Sequence, residues 1–184
     1  MSQVSTTTSS PRRRVAMTWV VWITAVIAYG FAVMQRTSLG VMGLTAAAHF
    51  NAPASVVATF MVLQLAVYAV LQIPAGITVD RLGSRVVITA GSIVMTVGQV
   101  VMALTGSVGG AVLARVLVGC GDAFIFGAAI RLVPAWFPPK QTPLVTQLTG
   151  LLGQFGQVVS AVGLVAMVNS SGWRSTYLLA AGGA

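Results

Sequence analysis

The sequence predicts an all-α integral membrane protein, and three observations lead to this fold class. Of the 184 residues, 57% are apolar and only 7% are charged, whereas soluble domains average about 25% charged residues. The apolar residues form long runs, and one crossing of a bilayer needs about 20 of them. Short polar or glycine-rich segments interrupt these runs at intervals that leave room for six helices. The composition therefore excludes a soluble globular domain. It also excludes a nucleic-acid-binding domain, although ten Lys and Arg oppose only two acidic residues.

Six apolar segments are predicted to follow a basic tail. Residues 1–14 are rich in Ser and Thr, end in three arginines, and are expected to form a disordered cytoplasmic tail. The predicted spans are about 16–39, 56–79, 86–105, 111–133, 144–168 and 173–184. At 1.5 Å per helical residue the last segment reaches roughly 18 Å, against a hydrocarbon core of about 30 Å. We therefore expect the sixth helix to be incomplete and the chain to be a fragment of a longer protein.

The distribution of basic residues predicts the orientation, because Lys and Arg near span ends are enriched on the cytoplasmic side. Arg81 and Arg85 lie between spans two and three, and Arg131 and Lys140 lie near the turn between spans four and five. These segments alternate with loops that contain few basic residues, and the arginine-rich tail falls on the same side as the basic loops. We expect a multi-pass protein of the cell membrane with a cytoplasmic N-terminus.

A motif of glycines and charges stands between spans two and three. Gly76, Asp80, Arg81, Gly83 and Arg85 occur at fixed offsets in a short turn. A merely orientation-determining basic loop would explain the arginines but not the acid or the glycines. The pattern resembles the signature loop of the major facilitator superfamily, although position 86 is Val where a second consecutive basic residue is usual.

The resemblance implies the six-helix N-terminal half of a major facilitator superfamily fold with a truncated sixth helix. It also implies that the signature loop is a cytoplasmic gating element whose acid faces a helix of a C-terminal six-helix half. That half is absent here, and it would belong to the same full-length chain or to a partner chain.

Three charged residues within the spans are candidates for a functional site, because charges at bilayer depth are costly. Arg115, Gly119 and Asp122 share one helix face, with the two charges roughly 10 Å apart along the axis. Arg36 lies in the outer part of span one, and Tyr29 lies on the same face seven residues earlier. The competing interpretation is that the arginines extend to the headgroups and that Asp122 hydrogen-bonds to another helix.

Span four, from Arg115 through Asp122 to Phe124, resembles the fourth helix of the anion:cation symporter family, and the loop at 136–140 resembles that family's next loop. The resemblance implies that Arg36 and Arg115 hold an organic anion and that Asp122 carries a coupling proton. Gln35 stands where this family often has a second acid, so the resemblance does not supply a second proton carrier.

Polar side chains recur at helical spacing in spans two and five. We predict that four further side chains bind substrate together with the arginines: Tyr29, Tyr68, Gln64 and Gln154. Hydrogen bonding between helices explains the glutamine stripes equally well. Span five also carries small residues at positions 153, 156, 160 and 163, a pattern that favours close helix packing over ligand contact.

These features favour a proton-coupled secondary transporter of a small solute, expected to be an organic anion, that works by alternating access. Its partners would be the bilayer, the solute and a proton, without nucleic acid. The alternatives are a drug or metabolite efflux antiporter, although span five lacks the Gly-Pro pair typical of that class, and a non-transporting remnant or half-subunit. With one His, one Cys, two Asp and no Glu, we expect neither an enzyme, nor a metal site, nor a cofactor.

Overall fold

Helices account for the secondary structure of residues 11–182, which are the residues that the computed structural model describes; side chains are described from residue 15. The helices are α1 (Pro11–Val41), α2 (Gly43–His49), α3 (Ala54–Leu82), α4 (Ser84–Leu104), α5 (Val108–Trp136), α6 (Thr142–Val159), a π-helical turn (Ser160–Leu164) and α7 (Val165–Gly182). Five segments are long and apolar enough to cross a membrane, and α6, the π-turn and α7 together form the fifth of them. This architecture confirms the predicted all-α membrane fold.

The first helix is longer than the sequence indicated. It begins at Pro11, so the last four residues of the predicted tail are helical. Proline suits the first position of a helix because its φ is already near the helical value and the missing N–H would have no partner there. Residues 1–10 of the predicted tail, and the last two residues of the predicted sixth span, lie outside the described residues.

Two glycines replace the longer turns expected between spans. The turn between α3 and α4 is Gly83 alone, with φ of 80°, and Asp80 and Arg81 belong to the last turn of α3. The loop predicted at 169–172 shrinks to Gly172, which has φ of 77°. A positive φ costs glycine little because it has no Cβ, so one residue is enough to redirect the chain at each place.

Helix α5 lies at the centre of the bundle and packs against α1, α3 and α4. Small residues bring α4 and α5 together. A Cβ on Gly121 would lie 2.5 Å from the carbonyl oxygen of Gly91, so these backbones are in direct contact. Close approach of this kind is typical of membrane helices, whose association depends on van der Waals packing.

Aromatic contacts join different helices and loops at each end of the bundle. At one end Trp19 and Trp22 pack edge-on against Phe137, with ring centres 5.3 and 6.3 Å away. This contact places the start of α1 beside the α5–α6 loop. At the other end the ring of His49 stacks on Trp173 at 4.6 Å, which joins the α1–α3 connection to the second part of α7.

Candidate functional site

An ion pair within the bundle forms the centre of the candidate site. A terminal guanidinium nitrogen of Arg36 lies 3.1 Å from Oδ2 of Asp122. The side chain of Asp122 is fully buried, whereas that of Arg36 is 15% exposed. The guanidinium of Arg36 also lies 5.6 Å from the ring centre of Tyr68, a distance at which the ring face attracts a cation. The acid of α5 therefore pairs with the arginine of α1, which the spacing along α5 did not indicate.

A cavity of about 570 Å³ opens beside this pair, between α1, α3, α6 and the π-turn. Its volume falls in the range of about 300–1,000 Å³ that is usual for small-molecule sites. The wall consists of Arg36, Thr37, Gly40, Val41, Met61, Gln64, Leu65, Gln157 and Ala161. Within the described chain Arg36 is the charged member of this wall, and Asp122 lies behind it.

Arg115 lies outside the cavity wall and is fully buried. A terminal nitrogen of its guanidinium donates to the hydroxyl of Ser38 and to Oε1 of Gln64, both at 3.4 Å. The group lies 5.8 Å from the ring centre of Tyr177. Arg115 has no carboxylate partner among the described residues, because the carboxylate of Asp122 pairs with Arg36.

Gln64 connects the two arginines. Its Oε1 accepts from Arg115, and its Nε2 donates to the backbone carbonyl of Arg36 at 3.2 Å. Gly119 explains how α3 comes so near to α5, because a Cβ there would lie 2.6 Å from the carbonyl oxygen of Gln64. The α5 face that carries Arg115, Gly119 and Asp122 therefore packs against α1 and α3. The two charges on this face have different partners, because Asp122 pairs with Arg36 and Arg115 contacts Gln64 and Ser38.

The remaining substrate-binding candidates are divided between the core and the surface. Tyr29 is buried, and its ring lies 5.3 Å from that of Phe126. Gln154 is exposed and outside the cavity wall. Thr37 and Gln157 line the cavity instead, and neither was among the predicted site residues. The stripe of glutamines in span five, at positions 147, 154 and 157, was a signal for Gln157, but only the packing of α6 shows which of its members reaches the wall.

The signature loop is joined to the end of α5. Arg131 forms an ion pair with Asp80, and a Cβ on Gly76 would lie 2.9 Å from a terminal nitrogen of Arg131. Glycine at position 76 therefore leaves room for the arginine that pairs with the acid. Arg81 and Arg85 are exposed. The sequence indicated the glycines and the acid of this arrangement but not Arg131 as the partner.

Taken together, the five apolar segments and the charges buried between them define a multi-pass membrane protein. The family model of the Major Facilitator Superfamily matches residues 21–184. The chain belongs to this superfamily, as the signature loop suggested.

The chain is also similar to several curated transporters. The probable L-galactonate transporter of Escherichia coli (strain K12) is 24% identical over 159 residues, which are 86% of this chain and 34% of the relative. The probable sulfoacetate transporter of Cupriavidus necator is 26% identical over 61% of this chain and 26% of its own length. The hexuronate transporter of Escherichia coli (strain K12) is 25% identical over 62% of this chain and 26% of its own length. The chain thus spans about a third or less of the relatives that it matches.

Proposed function

We propose that this chain is part of a secondary active transporter that carries a small organic anion together with a proton. The observation that carries the proposal is the Arg36–Asp122 pair at the wall of the cavity. The names of the relatives support the substrate class, because galactonate, sulfoacetate and hexuronate are all organic anions.

The pair suggests how binding of the anion and of the proton would be coupled. The guanidinium of Arg36 is permanently cationic, and the carboxylate of Asp122 already occupies one of its nitrogens. A substrate carboxylate in the cavity competes with Asp122 for the same cation. When Asp122 takes a proton, it loses its charge and releases Arg36 to the substrate. The buried carboxylate loses its partner only when it is neutral, which avoids the high cost of an unpaired buried charge.

We further propose that a second six-helix bundle, in the same full-length chain or in a partner chain, completes the cavity. The two bundles would rock around the site to give alternating access. The ion pair between Asp80 and Arg131 would hold the signature loop in one of the two arrangements. The exposed Arg81 and Arg85 would remain available to the lipid headgroups or to the second bundle.

The structure also supports the proposed orientation. The signature loop and the end of α5 meet through Asp80 and Arg131, and the start of α1 contacts Phe137 beside the following loop. The basic loops and the start of α1 therefore lie at one end of the bundle. By the preference of Lys and Arg for the inner side, this end would face the cytoplasm of the cell.

The test is Asp122→Asn in the complete gene product that contains this chain, reconstituted in liposomes with labelled glucuronate. Asparagine keeps the size of the side chain and an acceptor for Arg36 but cannot carry the proton. We expect exchange of internal for external substrate to persist and accumulation driven by a proton gradient to be lost. Asp80→Asn is the control, because it removes the other aspartate of this chain, which lies outside the cavity wall. Uptake should slow because the ion pair with Arg131 is lost, but accumulation should still depend on the proton gradient.

Two results would contradict the proposal. Uphill accumulation by Asp122→Asn at the wild-type level would exclude Asp122 as the proton carrier. Failure of the wild-type protein to move any of a panel of hydroxylated carboxylates and sulfonated carboxylates, with or without a proton gradient, would contradict transport of an organic anion.

A further inference from the structure

Four polar side chains line the cavity, and they differ in how far their hydrogen-bonding groups are already used. These side chains are Arg36, Thr37, Gln64 and Gln157. The remaining wall is apolar or consists of glycine. A ligand that carries hydroxyl groups needs partners for them, because a polar group that is buried without a hydrogen bond is costly. The polar groups that are still free therefore decide which solutes fit.

Three of these four side chains already use their polar groups in contacts within the protein. Arg36 pairs with Asp122 and serves the charge of the ligand in the proposed function. The hydroxyl of Thr37 donates to the carbonyl oxygens of its own helix, at 2.9 Å to Val33 and 3.2 Å to Met34. The amide of Gln64 is also used at both ends, since its oxygen accepts from Arg115 and its nitrogen donates to the backbone of Arg36.

The amide of Gln157 is free by contrast. Its side chain is exposed and makes no hydrogen bond with any residue of the described chain. A primary amide offers two N–H donors and an oxygen acceptor, which is a complete set for a hydroxyl group. An amide that contacts lipid tails would leave these groups unpaired, so the polar cavity is the favourable direction for it.

Packing holds Gln157 in this register. The preceding residue, Gly156, lies so close to α1 that a Cβ would be 2.1 Å from the carbonyl oxygen of Gly30. Ser160, at the start of the π-turn, is fully buried. The contacts of Gly156 and Ser160 therefore fix the rotation of the helix on either side of residue 157. Ala161 of the π-turn lies in the same cavity wall. Single π-turns within α-helices are frequent at functional sites.

We infer that Gln157 is a specificity-determining residue whose amide forms hydrogen bonds with the hydroxyl groups of the transported anion. The inference rests on the proposed function, in which Arg36 binds the carboxylate. It assigns the solute a chemical class: a compact carboxylate with hydroxyl groups away from the acid, rather than an aliphatic or aromatic acid of the same charge.

The experiment compares two probes of the same charge and similar size on the complete gene product in detergent. Glucuronate carries hydroxyl groups, and cyclohexanecarboxylate has a six-membered ring without them. Binding of each is measured by calorimetry for the wild type, for Gln157→Met and for Gln157→Asn. Methionine is nearly isosteric with glutamine but lacks the amide, and asparagine retains the amide on a shorter side chain. Gln147→Met is the control, because it removes an exposed amide of the same helix outside the cavity wall.

We expect Gln157→Met to weaken glucuronate binding about tenfold, which corresponds to one or two hydrogen bonds. Cyclohexanecarboxylate binding should change less than about twofold, Gln157→Asn should fall between the wild type and Gln157→Met, and Gln147→Met should match the wild type. An unchanged ratio of the two affinities in Gln157→Met overturns the inference, as does an equal change in Gln147→Met. If the wild type binds both probes with equal affinity, the inference also fails while anion transport can stand. If the wild type binds neither probe, the inference fails, and the proposed function is judged separately by the transport panel described above.

Discussion

Replacement of Gly156 by alanine tests whether α1 and α6 are in backbone contact beside the site. A Cβ at position 156 would lie 2.1 Å from the carbonyl oxygen of Gly30 and 3.0 Å from the amide nitrogen of Met34. Ordinary contacts of a carbon atom are about 3.5 Å or longer. Because both obstacles are backbone atoms of α1, no side-chain rotation relieves the clash, and the helices must separate by about 1 Å or more.

The separation should be costly for stability and for binding. Overpacking of a close contact costs about 1–3 kcal/mol of stability. Because the backbone of α1 cannot move aside as a side chain can, we expect Gly156→Ala to lower the free energy of unfolding by about 3 kcal/mol. The probable L-galactonate transporter of Escherichia coli is more than twice as long as this chain, and at about 2 cal/mol/K of unfolding entropy per residue a protein of that size shifts its melting temperature by roughly 1 °C for each kcal/mol. We therefore expect Gly156→Ala to melt about 3 °C below the wild type. Since Gln157 is the next residue, glucuronate binding should weaken as well.

The assay is thermal unfolding in detergent, followed by size-exclusion chromatography of the fluorescently labelled complete gene product. Gly150→Ala is the matched control, because a Cβ at position 150 of the same helix meets nothing within 4 Å. Alanine there should be neutral or stabilise the helix by up to about 1 kcal/mol. If Gly156→Ala melts within about 1 °C of Gly150→Ala, the inferred backbone contact between α1 and α6 is wrong.

Two further predictions concern the signature loop. Gly83→Ala forces a residue with a Cβ to adopt φ of 80°, so it should destabilise the protein by about 1–3 kcal/mol; a melting temperature equal to that of the wild type would show that this turn adopts another backbone conformation. Asp80→Arg places two cations together where Asp80 and Arg131 now pair, so glucuronate uptake in liposomes should fall, and adding Arg131→Asp should restore part of it. A double variant no better than Asp80→Arg alone would show that the pair has no role in transport.

The sequence predicted the candidate site in part. Charges at bilayer depth are rare enough to be recognised one by one, and Arg36, Arg115 and Asp122 all belong to the buried polar network around the cavity. Their mutual arrangement was not predictable. The spacing within α5 relates Arg115 to Asp122, whereas the structure joins Asp122 to a residue 86 positions away and leaves Arg115 with hydroxyl, amide and aromatic neighbours.

The same distinction holds within α6. The sequence shows a stripe of glutamines but does not tell which one reaches a cavity, because neighbouring turns of a helix share a face only approximately. The contact of Gly156 with the backbone of Gly30 and the burial of Ser160 decide it in favour of Gln157. Both depend on how α6 and the π-turn pack against α1, and the composition of this segment alone does not predict that packing.

Hydropathy alone was sufficient for the fold class. A span must be about 20 apolar residues long whatever its neighbours are, so the number of apolar segments follows from a local and one-dimensional property of the chain. The superfamily was likewise recognisable from one short loop, since its glycines and charges lie close together in sequence. The pairing of Arg36 with Asp122, the burial of Arg115 and the wall of the cavity depend on how far each helix is rotated and how closely two backbones approach. Those quantities arise from contacts between residues that are distant in sequence, and only the packed bundle determines them.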